Sequence, residues 1–167
     1  RVAYLLESGV DPHSILGVTF TNKAAGEMRT RVEELIGGRY HLPWIHTFHS
    51  TAARMLRSHI GYLGGSYSSS YSILDDGDSR EVIARAMKEL DIPTDEINPG
   101  ICSAIISRAK DDLVGPDQFR EKYASRLDSF LFEIVDRVYR KYQEHLEKSN
   151  ALDFADLIRL TIKLLHE

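Results

Sequence analysis

The sequence predicts a predominantly helical α/β fold, and three observations carry that reading. Two short apolar segments, Ile15 to Phe20 and Pro43 to Thr47, are rich in β-branched residues, and each runs straight into an amphipathic pattern, as a strand feeding a helix does. Beyond Leu74 the apolar residues recur at helical spacing. Helix start signals punctuate the chain at Thr21, Asp78, Asn98 and Asp153.

In order, Arg1 to Glu7 reads as a helix with Val2, Leu5 and Leu6 on one side and Gly9 as its stop. Ile15 to Phe20 is the first strand, and Asn22 to Ile36 the helix that follows, capped by Thr21 and ended by Gly37-Gly38. Pro43 to Thr47 is a second strand, and Ser50 to Ile60 a helix with Ala53, Leu56 and Ile60 on one face. A Gly- and Ser-rich loop from Gly61 to Ser70 leads to a brief extended segment, Tyr71 to Leu74. Asp78 with Glu81 reads as a capping box for a helix to Leu90, and Asn98-Pro99 opens one that closes at Gly115-Pro116. A long helix over 129–148 carries Leu131, Ile134, Val135, Val138, Tyr139, Tyr142 and Leu146, and a last helix starts from Asp153 as N-cap.

Composition narrows the functional classes. With 167 residues, 43% hydrophobic and 28% charged, the chain suits one ordinary core or two unequal lobes. No apolar run approaches the roughly 20 residues of a membrane span, and no signal-peptide pattern opens the chain. The lone Cys102 cannot form an internal disulfide; set in apolar Ile101 to Ile106, it reads as a buried, inert thiol in a reducing compartment. The net charge of −4 argues against a uniformly basic nucleic-acid binder. Charge is uneven, however: from Gly17 to Ile60, Lys23, Arg29, Arg31, Arg39, Arg54 and Arg57 face only Glu27, Glu33 and Glu34, which predicts a restricted face for phosphate.

The first strand-to-helix junction carries the chemistry. Thr21 is a good N-cap, and the opening N–H groups of a helix, with its dipole, attract an anion. Lys23 adds a full charge, and Phe20 offers a flat face on which a base can stack. Such junctions are common in α/β proteins, so this one alone does not distinguish nucleic-acid binding from an ordinary cap. The second junction repeats the logic: Thr47 and Ser50 offer hydroxyls, His49 a phosphate or base contact, and Phe48 either a core residue or a second platform. A zinc site at His46 and His49 is disfavoured, because no Cys, Asp or Glu nearby completes a tetrahedral set.

Thr19-Phe20-Thr21-Asn22-Lys23-Ala24-Ala25 resembles motif Ia of the superfamily-one DNA helicases of the UvrD, Rep and PcrA group, without a mismatch. Thr47-Phe48-His49-Ser50 is similar to that family's second DNA-track motif, and Leu152-Asp153-Phe154-Ala155-Asp156-Leu157 to its Leu-Asp-Phe-Asp-Asp-Leu segment, with Ala155 where an acid is frequent. The resemblance spans essentially the whole chain. It implies an internal fragment: part of the first RecA-like domain, 1A, over 1–46, then helical subdomain 1B over 47–167, the boundary falling between 47 and 75. It implies a parent that is an ATP-dependent 3′ to 5′ DNA helicase using ATP and Mg2+, cytoplasmic, bacterial and nucleoid-associated, acting on single-stranded DNA and single/double-strand junctions. The implied DNA contacts are Phe20, Thr21, Asn22, Lys23, Thr47, Phe48, His49 and Ser50, with Lys110, and less directly Arg108, on the helix that approaches the duplex in this family.

The catalytic groups of such a motor are not expected in these residues. The dipeptide Gly-Lys, needed to end a phosphate loop, occurs nowhere, and the acidic pair Asp95-Glu96 sits in a polar loop instead of at a strand end. The expectation is therefore a fragment inactive by itself, binding neither ATP nor metal. Two other classes remain open from the residues: a non-catalytic nucleic-acid-binding module, and a helical protein-interaction module.

Overall fold

The structure, a computed structural model, describes residues 1–42, 44–93 and 97–166; the Asp95-Glu96 pair lies outside them. It divides into two compact units, Arg1–Arg54 and Met55–Glu167.

In the first unit, helix α1 (Val2–Glu7) precedes strand β1 (Gly17–Thr19), helix α2 (Asn22–Ile36), strand β2 (Ile45–Thr47) and the start of helix α3 (Phe48–His59). β1 and β2 pair in parallel, with Gly17 opposite Ile45 and Thr19 opposite Thr47. A parallel pair needs a crossover, which α2 supplies. The core of this unit is small: Leu6, Ile15, Val32, Ile36, Leu42 and Ile45. Gly37 ends α2 in the left-handed region at φ 63°, where it and Gly38 hydrogen-bond back to the Glu33 carbonyl. Helix α3 begins at Phe48, two residues before the position expected, because the Thr47 side chain accepts from the Ser50 amide and so caps the helix from the last residue of β2.

The second unit contains the rest of α3, strand β3 (Ser72–Leu74), helices α4 (Asp76–Glu89), α5 (Pro99–Asp111), α6 (Pro116–Tyr123) and α7 (Ser129–Lys148), strand β4 (Ala151–Asp153) and helix α8 (Phe154–His166). Its core is one continuous cluster from Ile83 to Ala151, with Phe119, Val135, Val138 and Tyr139 fully buried. Burial pushes the Cys102 thiol up to about 11, so it stays a protonated, inert core residue.

Three features differ from expectation. The capping box of α4 is set by Asp75, not Asp78: the Asp75 carboxylate accepts from the Gly77 and Asp78 amides at 2.7 and 2.9 Å, and Asp78 sits at the third helical position returning the bond to the Asp75 amide. Glu81 lies a full turn too late to take part. Replacing Asp75 with alanine should cost about 1 kcal/mol of stability, the usual effect of losing an N-cap; a thermal melt unchanged by D75A would refute its role as cap. Helix α6 and strand β4 were not expected at all. β4 pairs in parallel with β3, Ser72 opposite Ala151 and Leu74 opposite Asp153.

Candidate nucleic-acid interface

Register makes the site. Because Thr19 and Thr47 are partners, β1 and β2 end at the same level, and α2 and α3 start from one edge of the sheet. Arg29 on α2 donates to the Ile45 carbonyl at 2.7 Å and ties the crossover helix to β2.

At the first junction the Thr21 hydroxyl oxygen accepts from the Ala24 amide at 3.1 Å, and its carbonyl accepts from the Ala25 amide at 3.0 Å. The Thr19 hydroxyl donates to the same Thr21 carbonyl at 3.0 Å, which fixes the turn. The cap thus occupies the Ala24 and Ala25 amides and leaves the anion-attracting end of α2 to Asn22 and Lys23. Lys23 is exposed, and its contact with Glu27 is 3.9 Å between exposed groups, too weak to hold the ammonium against a competing phosphate.

At the second junction the Thr47 hydroxyl donates to Ser50 Oγ at 2.8 Å while accepting from the Ser50 amide at 3.2 Å. Thr47 is consequently buried and structural. Ser50 accepts from Thr47 and keeps its own proton for an outward bond, and both it and His49 are exposed.

The aromatic residues join the two junctions. Phe20 is 90% exposed, Phe48 is 43% exposed, and their ring centroids lie 5.4 Å apart at 51°. Water-exposed ring area of this extent is unfavourable in itself, and a tilted pair presents two faces to one ligand. Phe48 is therefore an exposed ring beside Phe20 and not core.

The sequence analysis counted Arg54 only as one cation of the basic stretch and missed its pairing with Trp44. Arg54 stacks over the Trp44 ring at 4.7 Å and lies 3.3 Å from His46 Nε2. Since a guanidinium can only donate, that contact makes His46 Nε2 the acceptor. The signal was present: Thr47, Ser50 and Arg54 are spaced i, i+3, i+7 and share a helix face.

Lys110 requires a correction. Its side chain is entirely buried, and its ammonium donates to Asp153 at 2.6 Å and Asp156 at 2.7 Å, so it is sealed away from any phosphate. Tyr142 donates to the same Asp153 oxygen at 2.8 Å, Arg159 holds the other Asp156 oxygen at 2.8 Å, and Asp153 caps α8 through the Asp156 amide. The two acids of the Leu-Asp-Phe-Ala-Asp-Leu segment are thus the counter-charges of a buried lysine. Arg108 is exposed on α5 and leans toward Asp112 at 3.6 Å.

Over residues 1–167 the chain matches the family model described as the UvrD/REP helicase N-terminal domain. The chain belongs to the UvrD/REP helicase family. It is 41% identical over 165 residues to the ATP-dependent DNA helicase PcrA of Bacillus subtilis, and 39% identical over 166 residues to the ATP-dependent DNA helicase UvrD1 of Mycobacterium tuberculosis. PcrA of Staphylococcus aureus is 38% identical over 165 residues. These alignments cover 98 to 99% of this chain but 21 to 22% of those proteins, so the chain spans about a fifth of the length of the UvrD/REP relatives it matches.

The two junctions after β1 and β2 are not built as a phosphate-cradling loop. Neither strand-to-helix turn contains a glycine, and Thr21 and Thr47 side chains fill the cap positions that a phosphate-cradling loop leaves open. Among the described residues no group of three or more His, Cys, Asp or Glu is placed to hold a metal ion. None of their helices is long and apolar enough to cross a membrane.

Proposed function

We propose that this chain is part of an ATP-dependent 3′ to 5′ DNA helicase and supplies a segment of its single-stranded DNA track. The observation that carries the proposal is the level ending of β1 and β2, which puts two helix starts and the Phe20–Phe48 pair on one sheet edge. Phosphates meet the opening turns of α2 and α3 with Lys23 and Ser50, while bases stack on the two rings. Asn22, Thr21 and His49 complete the contact set, with Thr21 and Thr47 acting chiefly by shaping the turns. The first unit corresponds to part of a RecA-like domain 1A and the second to a helical subdomain 1B that faces a single/double-strand junction. ATP and Mg2+ are bound elsewhere in the whole protein, which is cytoplasmic and works at the nucleoid; these residues alone bind DNA without hydrolysing nucleotide.

The test is Phe20→Ala combined with Lys23→Ala in the whole protein. Both side chains are exposed, so folding is unaffected. Losing one stacking partner and one phosphate contact should weaken binding of single-stranded DNA by about tenfold or more and reduce DNA-stimulated ATP hydrolysis, with basal hydrolysis unchanged. Unaltered stimulation would remove this track from the mechanism.

A further inference from the structure

Helix α3 carries a cation that the contact set above omits. Arg54 lies four residues after Ser50, about 6 Å further along the same helix, and both are exposed. Both also belong to the compact unit that holds the two junctions, Arg1–Arg54. What distinguishes Arg54 from an ordinary surface arginine is how it is held. Its guanidinium stands 4.7 Å over the Trp44 ring, and its Nη1 lies 3.3 Å from His46 Nε2. Trp44 and His46 flank Ile45 at alternate positions, so they face the side of the strand opposite the buried Ile45 side chain. His46 immediately precedes Thr47, so this contact sets the cation beside the end of β2.

Neither the indole nor the accepting imidazole nitrogen cancels the charge of the guanidinium; together they fix its plane. A flexible arginine gives up rotamer freedom when it grips a ligand, and Arg54 has given up part of that freedom already on folding. The positive charge is concentrated in space and not only along the sequence. Arg29 reaches the Ile45 carbonyl from α2 while Arg54 reaches His46 from α3, so consecutive residues of β2 each hold a guanidinium. The starts of α2 and α3, at the end of the same strand pair, add partial positive charge of the same sign. A phosphodiester backbone repeats its anion at short intervals and engages several such groups at once, whereas an isolated carboxylate engages one.

We propose that Arg54, pre-set by Trp44 and His46, is a further phosphate contact of the single-stranded DNA track and extends it from the start of α3 along the helix. Ser50 meets one phosphate at the opening turn, and Arg54 meets a following one on the next turn. This inference rests on the reading of the chain as part of a DNA track, and the experiment separates the two.

Affinity of the whole protein, without nucleotide, for a fluorescein-labelled oligo-deoxythymidine of about 15 nucleotides is measured by anisotropy between roughly 50 and 200 mM salt. The parent is compared with Arg54→Ala, Arg54→Lys and the Phe20→Ala, Lys23→Ala double variant. Losing one phosphate contact should make the slope of log K against log salt shallower by about 0.7 in Arg54→Ala, so its deficit against the parent is about two- to threefold larger at the low-salt end than at the high. Arg54→Lys keeps the charge and should keep the parent's slope to within about 0.2. An Arg54→Ala slope equal to the parent's overturns the contact even if affinity falls, because an arginine that only braces Trp44 would weaken binding equally at every salt concentration. If the double variant still loses affinity in that case, the track reading stands. Unchanged affinity and slope in both variants overturn both.

Discussion

Replacing Lys110 with methionine should destabilise the chain by about 3–5 kcal/mol, because it leaves two carboxylates buried around a missing cation. The ammonium is the centre of the network: it bonds Asp153 and Asp156, and it lies 4.9 Å from the centroid of the Tyr142 ring. Burial by itself raises the Asp156 carboxyl, but Lys110 and Arg159 together outweigh it and hold the group below the usual carboxylate range. A depressed folded pKa contributes stability that is complete above the unfolded value near 3.9 and is lost as pH falls through the folded value. In K110M burial acts on Asp156 with only Arg159 opposing it, so that contribution shrinks. The stability difference between parent and K110M should therefore be largest at neutral pH and diminish below about pH 4. Urea unfolding at pH 7 and pH 3 measures it, and an equal difference at both would show that the network is not what Lys110 stabilises.

Phe119→Ala should cost a comparable 3–5 kcal/mol. Phe119 is fully buried and makes three ring contacts: Tyr123 at 4.7 Å, Phe132 at 5.9 Å and Tyr139 edge-on at 5.6 Å. Truncation removes the transfer free energy of the ring and leaves a cavity whose walls are aromatic residues on α6 and α7, which cannot collapse into it without breaking their own packing. Since α6 has only eight residues, its helical structure depends on that anchorage. An unfolding midpoint in urea within 0.2 M of the parent would refute Phe119 as the anchor, given slopes of roughly 1–3 kcal/mol per molar.

Helix α6 also shows where the sequence stops being readable. Pro-Asp-Gln-Phe-Arg-Glu-Lys-Tyr has two apolar residues, Phe119 and Tyr123, too few to establish a period, and Pro116 looks as much like the end of one helix as the start of another. The long seams of α7 and α8 left no such ambiguity, and α7 runs over 129–148 as its spacing predicts. β4 is three residues long, and each of its residues pairs with one in β3 that lies 79 positions earlier, a pairing that no local pattern contains. The cap of α4 was displaced because Asp75, Asp76 and Asp78 are all chemically capable, and only the backbone at Asp75, extended at φ −80° and ψ −179°, selects among them. For Lys110 a signal existed. Cys102, Ile106 and Lys110 recur every four residues, so the lysine lies on the buried stripe of α5, yet its acceptors stand 43 and 46 positions away. The candidate site was legible for the opposite reason: motif, cap and exposed aromatic residue all lie within seven residues at each junction.

The pairing of β3 with β4 has a kinetic consequence. Every helix from α4 to α7 lies between these two strands in the chain, so the pair closes a loop of nearly eighty residues, costing about 1.8 kcal/mol more in chain entropy than closing one of ten. Contacts such as those of α6 with α7 are close in sequence and form before that closure is affordable. The strand pair is therefore a costlier closure than the α6–α7 contacts, which can form while it is still open.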